Sequence, residues 1–161
     1  MKRFTYFIFS FVLYLLLVWN LSYQEILAGI IVAFLAAVLF GGYFTYEPKR
    51  FLQIHRWVWF LLYIPFFIWA CIRANLDVAF RVIHPERPLN PGIVKIKTNL
   101  RSEIARTFLA NSITLTPGTM SVEIEDDILY IHWIDVRAKD LEKASLIIAR
   151  PFERFLARIF D

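Results

Sequence analysis

The stretch NSITLTPGT at residues 111–119, followed by LYIHWIDV at 129–136, decides the fold of the polar half of this chain. Within the first, Thr116-Pro117-Gly118-Thr119 has the composition of a type II turn. Proline presets φ at the first central position, and glycine supplies the positive φ required at the second. Beyond the turn, Ser121 to Glu125 and Leu129 to Trp133 alternate apolar and polar side chains, the period of a half-buried strand. Asp126-Asp127 between them marks a hairpin whose inner face is expected to carry Val122, Ile124, Leu129, Ile131 and Trp133.

Working outward, residues 102–115 place Ile104, Ala105, Phe108, Leu109 and Ile113 on one helical face, with Asn99 or Ser102 as cap. Ile93 to Thr98 alternates again, setting Val94 and Ile96 against Lys95 and Lys97. From Lys139 to Phe160 helical spacing runs through Leu141, Ala144, Ile148, Phe152, Phe155 and Ile159, and Pro151 is expected to kink or interrupt it. The predicted order over 93–161 is therefore βαββα, an α+β domain resembling a ferredoxin-like fold without its last strand. Such a fold carries no function by itself.

Upstream, residues 84–92 hold three prolines and a glycine and read as a linker. Before them the chain is membrane-seeking: 58% of all residues are hydrophobic, 20% are charged, and the mean hydropathy is positive. Phe4 to Gln24 and Ile26 to Tyr46 are uncharged runs of 21 residues each, against the roughly 20 needed to cross a bilayer. They predict a transmembrane helical hairpin over 1–46. Lys2 and Arg3 precede it without a small-residue cleavage site, so the first segment is expected to be retained. Ser22-Tyr23-Gln24-Glu25 has the form of a capping box for the second helix. That helix carries Gly29, Ala33, Ala37 and Gly41 at four-residue spacing. The resulting groove fits either another subunit or the first span.

Residues 47–83 comprise a basic loop and a third apolar segment, Trp57 to Ile72, interrupted by Pro65. Arg73, Asp77 and Arg81 follow at four-residue spacing, as does an i,i+4 ion-pair pattern. The segment is expected to be a membrane-embedded or interfacial helix, with a kinked third span as the alternative. Lys2, Arg3, Lys49, Arg50 and Arg56 flank the hairpin on one side, while the loop between its helices has only Glu25. The positive-inside rule then puts the amino terminus and residues 47–56 in the cytoplasm, and two spans keep the polar domain there. Asp77 and Glu25 at membrane depth admit a proton-relay reading, but interfacial ion pairing and helix capping explain them more simply.

The charge excess of the chain, +4, lies wholly in residues 1–83; residues 84–161 balance eleven basic against eleven acidic groups. No basic cluster on the polar domain suggests nucleic acid. The lone Cys71 excludes an internal disulfide, and His55, His84 and His132 stand far apart without ligand spacing. No phosphate loop or nucleophile elbow is present. Neither an enzymatic activity nor a cofactor or metal is expected.

ANLDV at 74–78, NSITLTPGT at 111–119 and LYIHWIDV at 129–136, in that order, resemble the E subunit of the multisubunit Mrp (Mnh) sodium/proton antiporters. That resemblance implies a bacterial cytoplasmic-membrane complex that exchanges Na+ for protons at the expense of the proton-motive force. In it, this component is accessory and non-catalytic, contacts the other subunits and the bilayer, and does not itself bind Na+ or H+. It also implies that substitution of Thr116 or Pro117 harms antiport, either through the surface shown to a neighbour or through stability alone. A direct ion-pathway role for Glu25, Arg73 or Asp77, and a free-standing membrane-anchored regulatory or ligand-binding domain, are the competing readings.

Overall fold

The computed structural model describes residues 2–40, 53–86 and 89–161. Gly41, Lys49 and Arg50 lie outside the described residues. The chain divides into two compact units, Met1–Gln53 and Ile54–Asp161.

The first unit contains α1 (Lys2–Val18) and α2 (Tyr23–Phe40), which pack against each other. Between them Trp19 takes a positive φ of 53°, which reverses the chain. Gly29, Ala33 and Ala37 form the buried face of α2. A Cβ at Gly29 would come within 2.8 Å of Tyr14 and 3.1 Å of Phe11, so the small-residue face is where α1 approaches. The capping box is half formed. Ser22 Oγ accepts from the Glu25 amide at 3.4 Å, but the Glu25 carboxylate accepts from the Tyr14 hydroxyl at 2.8 Å instead of reaching back. The Ser22 amide donates to Asn20 Oδ1 at 3.1 Å. The Tyr14 hydroxyl, eleven residues away, was the competitor for the carboxylate that local spacing does not reveal.

The second unit begins with α3 (Ile54–Ile83), a 30-residue helix that continues through Pro65. Among the described residues, α2 and α3 are long and apolar enough to cross a membrane by length and composition; α1 is shorter. After α3 come β1 (Gly92–Lys97), α4 (Glu103–Leu115), β2 (Thr119–Glu125), β3 (Ile128–Trp133), α5 (Leu141–Ile148) and α6 (Arg150–Phe160). The sheet is antiparallel in the order β1-β3-β2, so β3 sits between the two strands that α4 connects, as in a split βαβ unit.

Val94 faces Ile131 and Ile96 faces Leu129 across the β1–β3 ladder, and all four are buried. α4 and α5 cover this face. The expected inner positions Val122 and Ile124 are instead exposed. A bulge between Ser121 and Glu123 leaves Val122 unpaired, which breaks the alternation on an edge strand. In α4 the buried face is Ala105, Leu109, Ala110, Ser112 and Ile113, while Ile104 and Phe108 are exposed. Ser102 is the cap, its hydroxyl accepting from the Ala105 amide at 3.2 Å. The last helical stretch divides at Ala149, and Pro151 opens α6, where its missing N–H costs nothing.

α3 shares this core. Its inner face runs antiparallel along α6, with Phe66 stacked on Phe155 at 4.6 Å and edge-on to Phe152 at 5.8 Å. The Arg56 guanidinium donates to the Ile159 carbonyl at 2.7 Å, and Arg158 lies 4.0 Å over the Trp59 ring. The Tyr63 and Ser112 hydroxyls are hydrogen-bonded in the buried interior.

Candidate functional site

The three sequence stretches that stand out in the chain meet at one place on the second unit, where α3, the turn after α4 and the exit of β3 converge. The turn is built as its residues dictate. Gly118 has φ +92°, and the Thr119 amide donates to the Thr116 carbonyl at 3.4 Å. The two threonines close the end of α4: Thr116 Oγ1 donates to Ser112 O at 2.7 Å, and Thr119 Oγ1 to Ile113 O at 2.7 Å. Both carbonyls also accept from the Thr116 amide, at 3.2 and 3.3 Å, so backbone and hydroxyl groups together close the end of the helix.

A Cβ at Gly118 would lie 3.1 Å from Ile134 and 3.5 Å from Val78. Glycine thus lets the turn press between α3 and the residues after β3. The Gly118 carbonyl accepts from the Ile134 amide at 2.9 Å. On the other side of that segment, the Asn90 carbonyl accepts from the Val136 amide at 2.8 Å, and Asn90 Nδ2 donates to the Val136 carbonyl at 3.1 Å.

Val78 and Ile134 are each next to a carboxylate, and these carboxylates join a closed ring of four charges. Arg81 Nε meets Asp77 Oδ2 at 2.9 Å, and Arg81 Nη2 meets Asp135 Oδ2 at 2.9 Å. Arg137 completes the circuit, 3.1 Å from Asp135 and 3.3 Å from Asp77. The ring ties α3 to the strand exit with no net charge. Arg73, the first member of the expected stripe, stands outside it and is exposed. Beside the ring, a groove of about 370 Å³ runs past Arg73, Asp77, Pro117 and Arg137, with Trp69 and Ile147 as apolar walls. Because these ion pairs are solvent-accessible, Arg137→Gln is expected to lower stability by less than about 1 kcal/mol. Chemical unfolding of the full chain in detergent measures that difference.

Of the residues singled out in the sequence, Asp77, Arg81, Thr116, Pro117 and Gly118 gather here. Glu25, Gly29, Ala33 and Ala37 belong to the first unit. Asp135 and Arg137 were missed as candidates; the strand pattern ends at Trp133, and their partners are far away in sequence. Among the described residues no group of three His, Cys, Asp or Glu side chains is placed to hold a metal.

Residues 7–159 match the Na+/H+ ion antiporter subunit family MNHE. The chain belongs to that family. It is 36% identical over 134 residues to the Na(+)/H(+) antiporter E subunit of Alkalihalophilus pseudofirmus, covering 80% of this chain and 84% of that one. It is 34% identical over 145 residues to the corresponding E subunit of Bacillus subtilis, covering 86% and 88%. A chain in the structure of the membrane-bound sulfane sulfur reductase, an archaeal respiratory membrane complex, is 45% identical with a TM-score of 0.78, each chain covered to 99%. The resemblance to antiporter E subunits that the three motifs carry is thus borne out over nearly the whole length.

Proposed function

We propose that this chain is an accessory, non-catalytic subunit of a multisubunit Na+/H+ antiporter, needed for assembly of the complex and for Na+ efflux driven by the proton-motive force. The observation that carries this reading is the match to antiporter E subunits over four fifths or more of each chain, together with the match to a chain of an archaeal respiratory membrane complex. The geometry supports it. The motifs are spent on mutual packing: a capped helix end, a glycine contact and a neutral ion-pair ring. The α1–α2 hairpin crosses the membrane, the polar domain of residues 84–161 is cytoplasmic, and the groove beside Pro117 and Arg137 is offered to a neighbouring subunit.

Mild-detergent purification of the tagged chain, with mass identification of what accompanies it, tests the proposal. Large membrane proteins in fixed stoichiometry are expected; recovery of this chain alone would overturn it. Neutralising Glu25, Arg73 and Asp77 together is expected to leave Na+/H+ exchange per assembled complex unchanged. Lost exchange in a normally assembled complex would assign them to the ion pathway instead. Protease added to closed vesicles is expected to reach residues 84–161 only from the cytoplasmic face.

A second reading has its own support. The 45% identity to the respiratory chain exceeds that to the antiporter subunits quoted above. On that reading the same protein serves in a respiratory membrane complex. Redox proteins among the co-purifying chains would select it.

A further inference from the structure

We propose that α3 lies in the plane of the membrane, as a float whose outer face enters one leaflet while the rest of the second unit rides on its inner face. The inference does not depend on which complex the chain serves.

Helical residues turn by about 100° each, which divides α3 into two opposed faces. The inner one is engaged with its own unit along almost the whole helix. Arg56 is bonded to Ile159, Tyr63 to Ser112, Cys71 Sγ to the Leu115 carbonyl at 3.8 Å, and Arg81 to Asp135. The outer one is apolar through Trp57, Leu61, Ile68, Ile72, Leu76 and Ile83, with one polar side chain, Asn75, at its edge, where its amide donates to the Cys71 carbonyl at 2.9 Å. The six apolar residues stay within roughly 100° of arc over the length of the helix. All are exposed, with Leu61 at 63%, Ile72 at 46% and Ile83 at 82%.

Composition alone lets this helix cross a bilayer, but its partners forbid it. From Arg56 to Arg81 the engaged face is about 37 Å long, more than the roughly 30 Å of a hydrocarbon core. A transverse α3 would drag the attached α6 into that core, with Arg154 exposed and Arg158 over Trp59. The charge ring or the opposite end would follow. A charge at mid-membrane costs about 2.5–3.5 kcal/mol even on the most lenient scale. Laid flat, the same helix sinks its apolar stripe about 5–10 Å below the headgroups and leaves every one of these charges on the water side. Trp57 on the open side suits the headgroup boundary, where tryptophan is enriched.

The occupant of the stripe is therefore lipid. Only thirteen residues separate the end of α2 from the start of α3, a tether of at most about 45 Å, so the stripe is held within reach of the bilayer into which α2 inserts.

The test uses the full chain with Cys71→Ala, reconstituted in phosphatidylcholine–phosphatidylglycerol bilayers. A nitroxide is attached to one of three variants, Leu61→Cys, Ile72→Cys or Ile83→Cys, and its collisions with oxygen and with a water-soluble nickel chelate are compared. The three sites are spaced by eleven residues, close to three turns, and so point the same way. One common shallow depth, favouring oxygen at all three, is expected. A site at Ile72 about 16 Å deeper than either end, or a steady gradient along the helix, would mean a transverse span and overturn the proposal. Free access of the nickel chelate would overturn it in favour of water, and exclusion of both reagents in favour of a covering protein helix.

Discussion

Gly118→Val is expected to destabilise the second unit by about 2–6 kcal/mol, more than any other single change in the signature turn. Two costs combine. A β-branched residue held at the positive φ of 92° loses about 1–3 kcal/mol to backbone strain. Its side chain also has to enter the space between Ile134 and Val78, which already stand 3.1 and 3.5 Å from where a Cβ would be; overpacking of that kind costs about 1–3 kcal/mol. Gly118→Ala meets the strain with one methyl and is expected to fall between. Pro117→Ala loses only the rigidity that proline confers on the unfolded chain, about 0.4–1 kcal/mol.

Thermal unfolding of the three full-length variants in detergent gives the order. A larger loss for Pro117→Ala than for Gly118→Val would remove the packing account of the turn. The consequence for function follows from position, because Val78 adjoins Asp77 and Ile134 adjoins Asp135. Pushing them apart opens the ring that fastens α3 to the strand exit. The variant is accordingly expected to reduce recovery of the assembled complex, while exchange per complex recovered stays normal.

Much of this architecture was legible because it is written in short-range patterns. The turn at 116–119 is fixed by Pro117 and Gly118, the hairpin by alternation on either side of Asp126-Asp127, and the helix break at Ala149 by the missing N–H of Pro151 two residues on. The failures have physical causes of their own. Val122 left the core because a bulge adds one residue to β2, and no residue type there announces a bulge. Glu25 turned from its own helix start to Tyr14, a choice made by packing. Asp77 found Arg137 sixty residues away, a pairing no local window contains.

α3 was the hardest case. Trp59, Tyr63, Phe66, Phe67 and Ala70 recur at three- and four-residue steps on the face opposite Leu61 and Ile72, so both faces are apolar and the segment resembles a buried or spanning helix. What separates its protein-facing side from its lipid-facing side is aromatic content, and aromatics suit either surface.

Glu153 was the other residue that periodicity hid, and its removal is the second large effect to be expected. It sits on the buried side of α6 with Phe152 and Leu156, an acid on an apolar face, and is only 6% exposed. Its carboxylate explains the burial. Oε1 accepts from the Thr98 hydroxyl at 2.6 Å and from the Asn99 amide at 2.9 Å, and Oε2 faces Arg150 at 3.1 Å. Eight residues on, Asp161 accepts from the Arg101 and Ser102 amides, each at 3.0 Å. The two acids of α6 and its end thus hold the chain between β1 and α4, where no sheet or helix partner is available for those amides.

Glu153→Ala would leave the buried Thr98 hydroxyl and the part-buried Asn99 amide without an acceptor, and an orphan shut off from water costs about 1–3 kcal/mol. A total loss of about 3 kcal/mol is expected from the two lost acceptor contacts together. Glu153→Gln keeps an acceptor oxygen toward Thr98 and Asn99 and gives up only the half-exposed contact with Arg150, so it is expected to retain most of the stability. Unfolding midpoints of the two variants in detergent distinguish hydrogen bonding from charge. If glutamine proves as damaging as alanine, the carboxylate's charge, and not its role as acceptor for the loop, is what the core requires.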